Sequence, residues 1–188
     1  MQHKSLTSKE KILQSQNFKN GAFQNLTLTP MKSEDVTYFK ILRDALRRPG
    51  TVRPEVKLPS VKSDLKVATG SKPVITWFGH SSYLIQINNI NILVDPVFSG
   101  SASPMSFMVK AFAGANVYTV ADMPPIDMLI ITHNHYDHLD KKSVSQIMPT
   151  VKAVYTGLGV GQDLVACSND AGEKITELDW WETVHITD

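Results

Sequence analysis

Residues 126–138 constrain this chain more tightly than any other stretch. Ile126-Asp127-Met128-Leu129-Ile130-Ile131 is an apolar run of strand length, and it leads through Thr132 into His133-Asn134-His135-Tyr136-Asp137-His138. A short run rich in Ile and Leu reads as a buried strand. Four metal-capable side chains then fall where that strand ends, and open α/β sheets place their chemistry outside the carboxyl ends of strands. The expected class is α/β, with a site at the end of a central strand.

The spacing within the cluster carries its own chemistry. In an extended chain alternate residues point the same way, so His133 and His135 aim two imidazoles at one point, and Asp137 continues that period. His138 breaks it, which suits a chain turning into a helix and aiming a ligand at a second, nearby point. Imidazole suits zinc, iron and related cations, while a carboxylate widens the choice toward iron and manganese. A catalytic zinc ion takes three protein ligands and keeps a position for water. Two ions about 3.5–4 Å apart can clamp the attacking and leaving oxygens of a displacement. Four ligands divided two and two would make half of such a paired site. Six His in 188 residues is ordinary, but three of them with an Asp at 133, 135, 137 and 138, directly after a strand, are hard to obtain from a solvated loop.

Thr132-His133-Asn134-His135-Tyr136-Asp137-His138-Leu139-Asp140 resembles the HxHxDH signature of the metallo-β-lactamase fold. Three further segments resemble the branch containing N-acyl-phosphatidylethanolamine-hydrolysing phospholipase D and its bacterial relatives. They are Ile75-Thr76-Trp77-Phe78-Gly79-His80-Ser81-Ser82, Asp95-Pro96-Val97-Phe98-Ser99 and Glu177-Leu178-Asp179-Trp180-Trp181-Glu182. The resemblance runs from about residue 70 to the C-terminus. It implies an αββα sandwich, of which this chain would be the N-terminal half. It further implies that His133 and His135 ligate a first metal, that Asp137 and His138 ligate a second, and that Asp95 supports the site from behind the ligands. His80 matches a histidine near the pocket. The implied cofactors are two divalent ions, zinc first, with iron or manganese as alternatives. The implied reaction is hydrolysis by metal-bound hydroxide, with Asp137 orienting it. The branch suggests a phosphodiester or phospholipid substrate, although the same residues would serve a lactone, an amide or a thioester.

The family pattern needs three further ligands: a histidine for the first metal, an aspartate bridging both, and a final histidine for the second. In relatives they lie downstream of the Trp-Trp-Glu segment, and this chain stops at Asp188. His185 is expected in a short strand, 183–187, rather than at the metals. The chain therefore reads as half of a longer enzyme that alone binds metal weakly and hydrolyses little, as calorimetric zinc titration would check. The rival reading is a non-catalytic product or interaction partner that keeps half the fold. A half sandwich should also leave apolar sheet surface open, so association with itself or with a complementing chain is expected.

Net charge is +1 and mean composition is ordinary, so nothing global calls for nucleic acid. The charge is unevenly placed. Thirteen Lys and Arg face six Asp and Glu in residues 1–70, against six and twelve in residues 71–188. The basic part (1–70) is expected to be an extension and connector, and 71–188 the metal-binding domain. The basic part reads as a solvated face, with peripheral contact to an anionic membrane as the alternative. A lone Cys167 fits a reducing, cytoplasmic setting, and it is expected to be a packed thiol. No apolar segment is long enough to cross a bilayer.

Local signals fill in the elements. Thr7-Ser8-Lys9-Glu10 has capping-box form. Ser33-Glu34-Asp35 offers a start for a helix whose apolar side is Val36, Phe39, Leu42, Ala45 and Leu46, with Arg43, Arg47 and Arg48 near the end that Pro49-Gly50 closes. That helix packs on its own domain or faces lipid. Residues 49–72 read as an extended connector. Strands are expected at 74–78, 83–87, 90–94 and 151–155, with Asn88-Asn89 as a hairpin turn. A helix capped by Asp140 should bury Val144, Ile147 and Met148 and end at Pro149. Gly157-Leu158-Gly159-Val160-Gly161 reads as a turn. Residues 95–125 form a long loop whose Met105, Phe107, Met108 and Phe112 either wall a pocket or join the core.

Overall fold

A computed structural model of the chain describes residues 7–30, 33, 36–47, 49–100 and 110–186. Helix α1 (Ser8–Gln14) is followed by a small hairpin, β1 (Phe18–Lys19) and β2 (Ala22–Phe23), and by helix α2 (Tyr38–Leu46). The main sheet then runs β3 (Val74–Gly79), β4 (Ser82–Ile87), β5 (Ile90–Val94), β6 (Ile126–Ile131), β7 (Val151–Gly157) and β8 (Ile175–Leu178). Helix α3 (Lys141–Ile147) connects β6 to β7, and α4 (Gly161–Val165) lies between β7 and β8.

The sheet order follows the sequence order, β3-β4-β5-β6-β7-β8. The first three strands are antiparallel and the last three join in parallel. Asn88 and Asn89 have φ of 49° and 60°, the left-handed pair that a two-residue hairpin between β4 and β5 demands and that Asn tolerates. Parallel neighbours need a crossover: α3 supplies it from β6 to β7 and α4 from β7 to β8, while the connection from β5 to β6 spans 95–125.

One face of the sheet makes the core. Register aligns Leu84, Leu93, Leu129 and Val154 across four strands, and all four are fully buried. Val144, Ile147 and Met148 pack onto them from α3 and the turn that follows it, and Leu164 from α4. Leu65 and Tyr118 close the β3–β4 end, where the Tyr118 hydroxyl accepts from Ser63 N–H at 2.9 Å. The connector is thus stitched to the domain. Gly114 is required where that connector passes: its φ is +83°, and a Cβ there would meet the Leu58 carbonyl oxygen at 2.3 Å.

The other face is apolar and only partly covered: Val94, which pairs with Tyr83 and Ile130, is buried there. Tyr83, Ile85, Ile92, Met128, Ile130 and Tyr155 lie on it, none fully buried, and Ile75 and Trp77 of the edge strand are 65% and 67% exposed. This is the uncovered sheet surface expected of half a sandwich.

Several expectations need correction. The second helix starts at Thr37, whose hydroxyl accepts from Lys40 N–H. Glu34, Asp35 and Arg48 lie outside the described residues, as do Met105, Phe107, Met108 and Thr187. Residues 182–186 form no strand. The glycine segment is more than a turn: Gly161 opens α4. The Gly159 and Gly161 N–H groups both donate to one Glu177 oxygen, at 3.0 and 2.7 Å, which pins that corner to β8. The strand β8 itself carries only a four-residue signal and was not anticipated.

Candidate metal centre

The cluster at 133–138 sits just past the end of β6, as the apolar run predicts. Its loop is held from several sides. Leu139 and His138 N–H donate to the His135 carbonyl, at 2.7 and 3.0 Å, closing a turn. Asn134 donates its side-chain amide to Asp163 on α4 at 2.9 Å. Immediately downstream, the Asp140 carboxylate caps α3, accepting from the Lys142 and Ser143 N–H groups. It also takes the Ser143 hydroxyl at 2.6 Å and Ser99 N–H at 2.8 Å, so one buried acid ties the loop after β5 to the helix after the cluster.

That fixed loop brings the sequence-predicted groups together. Ring centroids of His133 and His138 are 3.9 Å apart and those of His133 and His135 4.7 Å. An Asp137 oxygen lies 3.8 Å from His138 Nε2 and 3.1 Å from His80 Nε2. His80, Asp137 and His138 each offer a ligand atom within 4.8 Å of the others. His80 reaches this point from the β3–β4 turn, where its φ of 46° is left-handed and Trp77 Nε1 donates to its carbonyl at 2.9 Å. A non-glycine residue held in that region is characteristic of functional sites. His185 is exposed and takes no part in the cluster.

Asp95 organises the rings from behind. It is fully buried at the end of β5, with a left-handed φ of 42°. Its Oδ1 accepts Thr132 N–H at 2.8 Å, and its Oδ2 accepts the Thr132 hydroxyl at 2.7 Å and lies 2.7 Å from His138 Nδ1. An ionised carboxylate only accepts, so Nδ1 of His138 carries the proton and Nε2 presents its lone pair to the cluster. Thr132 has spent its proton on Asp95. Its oxygen, 3.0 Å from His133 Nδ1, therefore accepts from that ring, and His133 Nε2 is bare as well. The assignment follows from the hydrogen-bond network. One buried acid thus sets two imidazole tautomers, one directly and one through Thr132. Carboxylate–histidine pairs of this kind orient metal-binding imidazoles. Thr132 was not singled out from sequence, and its hydroxyl next to the first His was the available signal.

The electrostatics agree. Burial, with the neighbouring His138 and His135, pushes the His133 pKa below its usual value, so the ring stays neutral and able to ligate at neutral pH. Burial alone would raise the Asp137 pKa, but its own backbone N–H, His138 and His80 outweigh it and hold the carboxyl below its usual range. The donor set, imidazoles with a carboxylate, fits a divalent first-row cation.

Beside the cluster lies a cavity of about 490 Å³. Phe78, Phe98, Phe112 and Tyr118 line it, with His80 and Asp137 at its edge. Phe112 is 48% exposed, so it walls the cavity and does not join the core. Cys167 is a packed thiol: it donates to the Asp163 carbonyl, and burial raises its pKa.

Comparison with known proteins rests on the same segments. Residues 90–188, which include β5, Asp95 and the whole cluster, match the family described as "Beta-lactamase superfamily domain". The chain belongs to that family. It is 30% identical over 175 residues to an uncharacterized protein of Mycobacterium tuberculosis, covering 92% of this chain and 47% of the relative. It is 32% identical to N-acyl-phosphatidylethanolamine-hydrolyzing phospholipase D 1 of Caenorhabditis elegans, over 57% of this chain and 32% of that protein. It is 37% identical over 65 residues to a UPF0173 metal-dependent hydrolase of Pyrobaculum neutrophilum, 35% of this chain and 24% of that one. The chain spans about half the length of the Mycobacterium tuberculosis relative and less of the other two. The mixed sheet is the metallo-β-lactamase-type fold expected from the cluster, seen in part, and metal-dependent hydrolases are among its relatives.

Proposed function

We propose that this chain supplies half of the metal centre of a metal-dependent hydrolase acting on a phosphodiester, with a lipid-like substrate as the natural class. The observation that carries the reading is the pair of imidazoles whose tautomers Asp95 fixes, with His138 Nε2 standing 3.8 Å from an Asp137 oxygen. His133 and His135 would hold one divalent ion, and Asp137 and His138 a second. Zinc is the first choice for imidazole-rich donors, with iron and manganese as alternatives. Bound there, such an ion lowers the pKa of its water to about 7 and polarises a phosphoryl oxygen.

The chain's own residues do the rest. Asp95 and Thr132 hold the rings in register before any ligand arrives, so no reorganisation falls at the moment of reaction. Asp137, ionised and 3.1 Å from His80 Nε2, accepts and orients a proton near the attacking water. His80 lines the cavity beside Asp137 and would meet a substrate there. The aromatic cavity suits an apolar group of the substrate. The likeness to a phospholipase D supports the phosphodiester choice.

The reading is tested with zinc or manganese, comparing native protein with His135→Ala and Asp137→Asn. Affinity for the ion is expected to fall at least about tenfold in either variant. The small turnover of bis(p-nitrophenyl) phosphate expected of the native chain should fall with it. Equal metal affinity in native and variant proteins would overturn the metal assignment. Cleavage of an amide or lactone in preference would leave the hydrolase and overturn the phosphodiester. The open sheet face favours a second reading beside the first, in which the chain acts only once another chain or copy covers that face.

A further inference from the structure

We propose that helix α2 is a docking element for an anionic lipid surface. The proposal stands apart from the metal reading and uses different residues. Tyr38, Phe39, Ile41, Leu42 and Leu46 fall within one half of the helix circumference, and Lys40, Arg43, Asp44 and Arg47 fill the other. Such a clean division ordinarily marks a helix that buries its apolar side. Here that side is bare. Phe39 is 76% exposed, Leu42 59% and Leu46 80%, and α2 is absent from every element pair in close packing among the described residues. The helix is nonetheless finished at both ends. Thr37 caps the first turn, and Arg47 N–H returns to the Arg43 carbonyl at 3.0 Å.

Charge selects the occupant. The polar side carries three cations against one anion. Arg43 pairs with Asp44 at 3.0 Å, while Lys40 and Arg47 have no ion-pair partner among the described residues. The segment around the helix shares this sign, with thirteen Lys and Arg to six Asp and Glu in residues 1–70, while the rest of the chain is acidic. An apolar strip backed by long cationic stems suits the water–lipid boundary. The stems bury their methylenes and reach the headgroups, and negative lipid attracts each charge. The opposite sign on the remainder of the chain would set which side approaches the membrane.

The test uses the whole chain and co-sedimentation with vesicles of phosphatidylcholine, with or without roughly one quarter phosphatidylglycerol. Both Leu42→Asp and the double change Lys40→Glu with Arg47→Glu alter exposed positions, so the fold should survive, as circular dichroism checks. The native chain is expected to sediment with the anionic vesicles and to be released by about 0.5 M salt. Each variant is expected to bind at least about tenfold more weakly. Equal behaviour of native and variant chains on anionic vesicles overturns the proposal. So does a variant that leaves vesicle binding intact but lowers the mass seen by light scattering, which would make α2 a contact between copies of this chain.

Discussion

Asp95→Asn is expected to lower zinc affinity by about ten- to a hundredfold while leaving the chain folded, as competitive titration against a chelating dye and circular dichroism would show. The substitution keeps the size of the side chain, and Asn tolerates the left-handed backbone that Asp95 occupies, with φ of 42°. Its carbonyl can still accept Thr132 N–H. What it cannot do is accept with its second group. The amide nitrogen would face His138 Nδ1 and the Thr132 hydroxyl, which lie 2.7 Å from Asp95 Oδ2 in the native chain. An amide N–H aimed there forces Nδ1 of His138 to accept, which moves the proton to Nε2 and blocks that lone pair. Thr132 no longer donates to position 95, so the His133 tautomer is released as well. Thr132→Val would break only the relayed half and should cost less. Unchanged affinity in Asp95→Asn would show that the acid is structural and does not set the rings.

Leu129→Ala is expected to cost about 3–5 kcal/mol of stability, read as a fall in the urea midpoint at constant slope. Leu129 is fully buried at the centre of β6, with Leu93 and Val154 beside it on the neighbouring strands. Total stability of a domain this size is about 5–15 kcal/mol, so the loss would be a large share. The adjacent Ile130 points to the open face and is only half-buried. Ile130→Ala should therefore cost less, since part of its surface stays in water. Equal costs at the two positions would mean that the second face is covered in solution, and they would count against an open half-sandwich.

The parts of this fold that were legible in the sequence are those in which local chemistry and global packing agree. The bounds of β5 and β6 follow from their apolar runs, the hairpin from Asn88-Asn89, and α3 from Asp140 and Pro149. The capping box at Thr7 and Glu10 forms as its spacing requires. The nearness of His133 to His135 and His138, and of His138 to Asp137, suits a strand period followed by a turn. What was hidden depends on partners distant in sequence. Glu177 is needed to hold Gly159 and Gly161, yet nothing near residue 159 announces it. The relay through Thr132 exists only because β5 and β6 are parallel neighbours that bring Asp95 beside it. His80 approaches Asp137 through a left-handed turn that the segment Phe78-Gly79-His80 does not by itself reveal. The expected strand around His185 does not form in 182–186, since β-propensity alone does not make a ladder.

The central claim is that the groups at 133, 135, 137 and 138 gather around cations, and diffraction at the zinc absorption edge from zinc-soaked crystals tests it most directly. The expected map holds anomalous density within coordination distance, about 2.0–2.2 Å, of His133 and His135 nitrogens and of Asp137 and His138. Density confined to other surface groups, with the four side chains bare at saturating zinc, would contradict it.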